Sequence, residues 1–145
     1  MIEAKIKRID KSLSLPIYET NGSVGFDLLA REDVVIEAGE IALVPANVII
    51  ETPEGWMLII VPRSSTPKRK CLAFPHSIGI IDNDFCGEED ELLLQVLNFS
   101  KEKSFVRRGE KIAQGIFVKV EKVIWQEKEQ MDEKSRGGYG STDRK

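Results

Sequence analysis

The chain has 145 residues, 41% of them hydrophobic and 31% charged, with a formal net charge of −3. This is the size and make-up of one soluble globular domain able to bury its own core, and the acidic balance argues against nucleic acid as a partner, because phosphate surfaces need clustered Lys and Arg. One histidine and two cysteines are too few for a disulfide framework or an ordinary closed zinc centre.

Taken in chain order, the elements read as short strands and turns. Ile6 to Ile9 is the first strand. Asp33-Val34-Val35-Ile36-Glu37 is β-branched and runs into a turn at Ala38-Gly39. Ile41 to Ile50 is a second apolar stretch, interrupted by Pro45. Thr52-Pro53-Glu54-Gly55 forms a turn ahead of the strand Trp56 to Val61. Leu92 to Phe99 and Ile112 to Val120 are two further strands, and the apolar run Val123-Ile124-Trp125 follows closely. Strands spaced by ~8–12 residues with turn signals between them predict an all-β sandwich or barrel. No long amphipathic helix is evident, and Gln126 to Lys134 reads as a solvated linker. The stretch Ser135-Arg136-Gly137-Gly138-Tyr139-Gly140-Ser141-Thr142 has three glycines in eight residues and no core periodicity, so it is expected to be a mobile arm. The division expected is a β domain over 1–128 and a glycine-rich arm over 129–145. No apolar run approaches the ~20 residues of a membrane span. Met1-Ile2-Glu3-Ala4-Lys5 lacks the layout of a signal peptide. The expected address is the cytoplasm, without membrane association.

Four places carry chemistry. Pro62-Arg63-Ser64-Ser65-Thr66-Pro67 follows a strand. Ser64 or Ser65 can cap a short helix there, with Pro67 in its first turn. Free N–H groups, hydroxyls and Arg63 together would cradle phosphate; a plain capped turn is the alternative. Lys68-Arg69-Lys70 beyond it reads as a solvated basic face. Gly79-Ile80-Ile81-Asp82-Asn83-Asp84-Phe85-Cys86-Gly87 looks like a β-hairpin with a carboxylate at its mouth. Asp82 there can serve as a general base or simply as a turn residue. Asp27, between apolar neighbours in Val24-Gly25-Phe26-Asp27-Leu28, must be partly buried and needs a partner, which a metal or an arginine would supply. Gln114, inside Ile112-Ala113-Gln114-Gly115-Ile116, raises the same question for its amide.

Set in order, five segments resemble the five motifs of the homotrimeric dUTPase family. They are Val24-Gly25-Phe26-Asp27-Leu28, Pro62-Arg63-Ser64-Ser65, Gly79-Ile80-Ile81-Asp82, Arg108-Gly109-Glu110-Lys111-Ile112-Ala113-Gln114 and Arg136-Gly137-Gly138-Tyr139-Gly140-Ser141-Thr142. The resemblance implies an all-β, jelly-roll-like β-barrel or sandwich of the β-clip kind. It implies a homotrimer whose active sites draw on all three subunits, the third motif coming from a second chain and the arm from the third. The implied reaction is hydrolysis of dUTP to dUMP and pyrophosphate, which clears dUTP from the nucleotide pool and supplies the dTMP precursor. The implied cofactor is Mg²⁺, held by Asp27 through its waters. Asp82 would activate the water that attacks the α-phosphorus. Arg63, Ser64 and the backbone at Ser65 would hold the phosphates, with Gln114 touching them from the neighbouring strand. His76, Gly79, Ile80, Ile81 and Phe85 would belong to the nucleoside pocket. On the arm, Arg136 and Ser141 would close over the phosphates and Tyr139, flanked by Gly138 and Gly140, would stack on uracil.

The chain departs from the family pattern at several of these positions. Tyr139 stands for the usual Phe, and Phe85 for the usual Tyr that packs on deoxyribose. His76 stands where many members have an Asn that reads uracil; a neutral imidazole still offers one donor and one acceptor, but its protonation adds a pH dependence. Cys86 replaces a common Arg, and Glu88-Glu89-Asp90-Glu91 lengthens the link to the next strand. Two rivals share the fold. A dCTP deaminase would carry a Glu where this chain has Gln95, which cannot take up a proton as a carboxylate does. A nucleotide-binding protein without turnover would be expected to have lost Asp82 or the arm.

Overall fold

Alternating and β-branched apolar residues fold into strands that are short because Gly, Pro and Asx turns interrupt them every few residues. The computed structural model describes residues 1–140. Among these the strands are β1 (Lys5–Arg8), β2 (Phe26–Leu29), β3 (Val34–Ile36), β4 (Ile41–Pro45), β5 (Val48–Glu51), β6 (Trp56–Pro62), β7 (Leu72–Ala73), β8 (Gly79–Ile81), β9 (Leu93–Asn98), β10 (Ser104–Val106) and β11 (Lys111–Lys119), with one short helix, α1 (Thr66–Lys70), after β6. All pairings are antiparallel. One sheet has the order β2-β11-β6-β8, a second β4-β9-β7, and two ribbons, β1-β5 and β3-β10, complete the set.

The inner faces meet in one core. Leu28, Leu58, Ile60 and Ile112 from the four-stranded sheet pack with Val44, Leu72, Leu94 and Val96 from the second, and Ile36, Val48 and Val106 from the ribbons close it. This is the sandwich expected of the sequence, without a closed barrel. In β9 the alternation is plain: Leu94, Val96 and Asn98 point in while Leu93, Gln95 and Leu97 point out.

Three expectations need correction. Ile41 to Ile50 is two strands in different sheets: β4 stops at Pro45, and Asn47, at φ 66, turns the chain into β5. The segment around Asp82 is not a hairpin. β8 pairs with β6, and the chain beyond Asp82 loops away to β9 in the other sheet. Val123-Ile124-Trp125 forms no strand, and its side chains lie exposed. Three strands went unread, β2, β7 and β10, and β8 was read only as an arm of that hairpin.

The acidic link Glu88–Glu91 is structural. Glu91 grips Arg31 with two bonds, at 2.8 and 3.1 Å, and accepts the Asn47 N–H at 2.9 Å. Asp90 accepts Gly87 N–H at 2.7 Å, and Glu88 pairs with Lys7. Asn47 in turn binds the backbone of Asp10 through both ends of its amide, at 2.7 and 3.0 Å. These contacts tie the N-terminal loop to the sandwich.

Arg108 completes that tie by donating to Asp10 Oδ2 at 2.7 Å and Ser12 Oγ at 2.6 Å. The Arg108 guanidinium first, then Ser12, hold the Asp10 carboxyl well below the usual carboxylate range. A depressed folded-state pKa stabilises the fold above the unfolded value of ~3.9, and that contribution is lost as pH falls through the folded value. Asp10→Asn is therefore expected to lower stability at neutral pH, with the gap to the parent closing as pH is taken below ~4. Urea melts at stepped pH measure it.

Candidate active site

β6 delivers Pro62-Arg63-Ser64-Ser65 to the top of the four-stranded sheet. There Arg63 N–H donates to Ile112 C=O at 3.1 Å, and Thr66 Oγ donates to the same carbonyl at 2.6 Å. Ser65 is the N-cap of α1, with Pro67 in its first turn, as the sequence predicts, but no side-chain cap bond forms. The Ser65 hydroxyl is thus left for another acceptor or donor.

The ladder between β2 and β11 shifts register between Lys111 and Ala113, where a β-bulge adds one residue to β11. In a regular strand Lys111 and Gln114, three apart, would face opposite sides. The extra residue brings both to Asp27: Gln114 is its cross-strand partner, and the Lys111 ammonium lies 3.3 Å from Asp27 Oδ2. Arg63 Nε reaches Asp27 Oδ1 at 3.0 Å. Asp27 is buried, at 6% exposure, so its charge needs these two cations. Of the two partners left open for Asp27, a metal or an arginine, the arginine is present. A Cβ on Gly25 would stand 2.5 Å from Gln114 Oε1, so a side chain there would push the Gln114 amide aside.

Glu19 bonds the Lys111 ammonium from outside. That contact, and then Asp27, hold Lys111 above the ordinary lysine value against the opposing effect of burial, and Lys111 holds Glu19 below the ordinary glutamate value. The sequence reading missed Lys111, Glu19 and Thr66. Lys111 stood in the fourth segment, but its side became readable only with the bulge. Arg63, Ser65, Arg69, Lys70, Glu110 and Lys111 border a cleft of about 280 Å³. Its cations outnumber its one carboxylate, which already pairs with Lys70 at 2.6 Å. Such a cleft suits a polyanion. Lys68-Arg69-Lys70, expected as a solvated face, thus lends two side chains to it.

Asp27 Oδ2 is buried and accepts no aligned hydrogen bond among the described residues, and no three His, Cys, Asp or Glu side chains gather into a metal cage there. With Oδ1 on Arg63 and Oδ2 near Lys111, Asp27 is a single, already paired carboxylate beside an anion cleft, which fits a Mg²⁺ held mainly by its waters and by phosphates.

A second cleft, of about 200 Å³, is bordered by Phe74, His76, Gly79, Ile80, Ile81 and Gln95. The His76 ring stacks on Phe74, centroids 5.8 Å apart and planes within 6°. Its walls are apolar with two polar side chains, the usual make-up of a small-molecule pocket. Asp82 and Phe85 lie just beyond β8, both exposed.

The two clefts do not meet within one chain. β2 and β8 are opposite edges of one sheet, three strand spacings or about 14 Å apart. Asp82 follows Ile81, the partner of Leu58, and so stands level with Met57, whereas Asp27 is level with Val61 through Gln114. Four residues of offset add about 13 Å, for a separation of about 19 Å. Arg136, Gly138, Tyr139 and Gly140 lie in an exposed terminal stretch without helix or strand. Ser141 lies outside the described residues.

Known proteins match this arrangement closely. A family model described as dUTPase covers residues 11–143. The deoxyuridine 5'-triphosphate nucleotidohydrolase of Dictyoglomus turgidum is 36% identical over 148 aligned positions, spanning 98% of this chain and 99% of the relative. The crystal structure of dUTPase from Streptococcus mutans superposes with a TM-score of 0.76 at 30% identity, over 83% of this chain and 98% of that one. The Staphylococcus bacteriophage 80alpha dUTPase with dUPNHPP shares the fold, with a TM-score of 0.84 at 22% identity over 97% of this chain and 98% of that one. Matched over nearly its whole length by that family model, and at more than a third identity by a relative of equal size, the chain belongs to the dUTPase family.

Proposed function

We propose that this protein hydrolyses dUTP to dUMP and pyrophosphate, in a site assembled from three copies of the chain. The observation that carries the reading is the buried Asp27 clamped by Arg63 and Lys111, two cations that border a cationic cleft. Relatives named for this reaction support it, as does a fold neighbour solved with dUPNHPP. Arg63, the Ser64 hydroxyl and the Ser65 N–H bind the phosphates, and Gln114 contacts them from β11. Asp27 would hold Mg²⁺ through waters, and the bound ion would supply charge neutralisation on the phosphate chain; a fold neighbour is described with a structural Mg(II) ion. His76 and the backbone of Gly79, Ile80 and Ile81 read the base, and Phe85 packs on the sugar. Asp82 orients a water toward the α-phosphorus and takes its proton. This is positioning chemistry, without a covalent intermediate.

A separation of about 19 Å between Asp27 and Asp82, from strand spacing and register, makes one chain insufficient, and the outer faces support association. Ile41, Leu43, Ile80 and Leu93 expose apolar side chains around the second cleft, a patch that a copy of the chain would cover. We assign a homotrimer, with residues 1–128 as the body and 129–145 as the arm. On the arm Arg136, Gly138, Tyr139, Gly140 and Ser141 close over the nucleotide and exclude water. Both cysteines are free thiols, in keeping with a cytoplasmic protein, and no helix of the described residues is long and apolar enough to cross a membrane.

The test is pyrophosphate release from dUTP, dCTP, dTTP and UTP, each with Mg²⁺ and with chelator. Turnover of dUTP alone, lost on chelation, is the expected result. Ammonia from dCTP would overturn the reading in favour of deamination. Turnover spread over several nucleotides would mean that His76 and Phe85 have changed what the pocket reads.

A further inference from the structure

We propose that Asn83 is a positioning residue for catalysis, holding Asp82 in place through the turn between β5 and β6. The inference rests on the role given to Asp82 above. β8 ends at Ile81 and pairs only with β6, so beyond Ile81 no ladder holds the chain. Asp82 is exposed and its carboxylate accepts no hydrogen bond among the described residues. Its own backbone is held by one long turn bond, Phe85 N–H to Asp82 C=O at 3.3 Å. A general base must nonetheless be fixed to within fractions of an ångström, and a 1 Å misplacement can cost about 10²-fold in rate.

The missing constraint is the next side chain. Asn83 Nδ2 lies 2.9 Å from Thr52 C=O, 2.9 Å from Pro53 C=O and 3.0 Å from Trp56 C=O. Three carbonyls converge because Gly55, at φ +76, folds the turn back on itself. Carbonyls only accept, so only the nitrogen end of the amide fits there, and its two hydrogens must be shared among three acceptors. Asn83 C=O in turn receives the Cys86 thiol at 3.5 Å. The loop is thus tethered at its second residue, with Asp82 on one side and Phe85 two residues along. No chemistry is asked of Asn83 itself. Its amide locks the loop to the turn that opens β6.

The test measures kcat, KM and dUPNHPP affinity for Asn83→Ala, Asp82→Asn and the double variant of the full-length protein. Asn83→Ala is expected to lower kcat by about 10–100-fold, with KM and dUPNHPP affinity within about 3-fold. In the Asp82→Asn background the same change should cost nothing further, since there is no base left to misplace. An equal loss in both backgrounds, or an unchanged kcat, overturns the proposal. Asn83→Ser, which keeps one donor set a bond further back from the three carbonyls, should retain an intermediate kcat and is the variant to use if the alanine form does not fold. If Asp82→Asn itself keeps parental turnover, the general-base assignment has failed. That result is separate from a silent Asn83→Ala in an enzyme that does depend on Asp82.

Discussion

Asp82→Asn is expected to reduce pyrophosphate release from dUTP by about 10²–10⁴-fold, the span that a positioned general base contributes. Asparagine has nearly the same shape but cannot accept a proton at neutral pH. The carboxylate is exposed and serves no hydrogen bond among the described residues, so its loss removes chemistry and leaves the fold alone. Melting temperature and dUPNHPP affinity should therefore match the parent. Lost affinity would instead mean that Asp82 holds the nucleotide, and retained turnover would mean that another group activates the water.

Mixing two dead chains should restore activity. Asp82→Asn removes the base, and Arg63→Met removes the phosphate cation while keeping its apolar stem. Each alone should be nearly inactive. A site that draws Arg63 from one chain and Asp82 from another is complete when the first is an Asp82→Asn chain and the second an Arg63→Met chain. In randomly mixed trimers at equal ratio that happens at about a quarter of sites. Co-refolding the two variants and assaying dUTP turnover measures it. No recovery in verified mixed trimers would place both residues in a site made by one chain, against the 19 Å separation argued from the sheet order. Few changes have a larger expected effect, because the signal rises from near zero.

Much of the fold was legible because its longest strands announce themselves. Trp56 to Val61, Leu92 to Phe99 and Ile112 to Val120 are apolar runs bounded by turn residues, and each forms a strand within a residue or so of its expected limits. The shortest strands were legible only where apolar or β-branched residues ran together, as in β3. β7 has two residues, too few for a period, and exists because a neighbouring strand offers a ladder. The hairpin expected around Asp82 failed for the same reason: two apolar runs either side of a turn look alike whether or not they pair with each other. In the site, Asp27, Arg63 and Gln114 were legible as polar groups placed among apolar ones. Their mutual contact was not, since it depends on register. Lys111, Glu19 and Asn83 were ordinary polar residues until tertiary structure gave them partners. The acidic link was likewise opaque, because the reason for Glu91 lies in Arg31, 60 positions away.

The bulge in β11 turns chain length into a functional variable. A strand reads out its side chains like a two-step ratchet, and every residue gained or lost exchanges the two faces beyond that point. Between Gly109 and Gln114, the number of residues thus matters more than most of their identities. Removing one would swing either Lys111 or Gln114 away from Asp27, while conservative swaps at Ile112 would leave both aimed. Insertion or deletion in this short stretch should therefore be as damaging as loss of Lys111 itself. Variation among related chains should accordingly keep the count there.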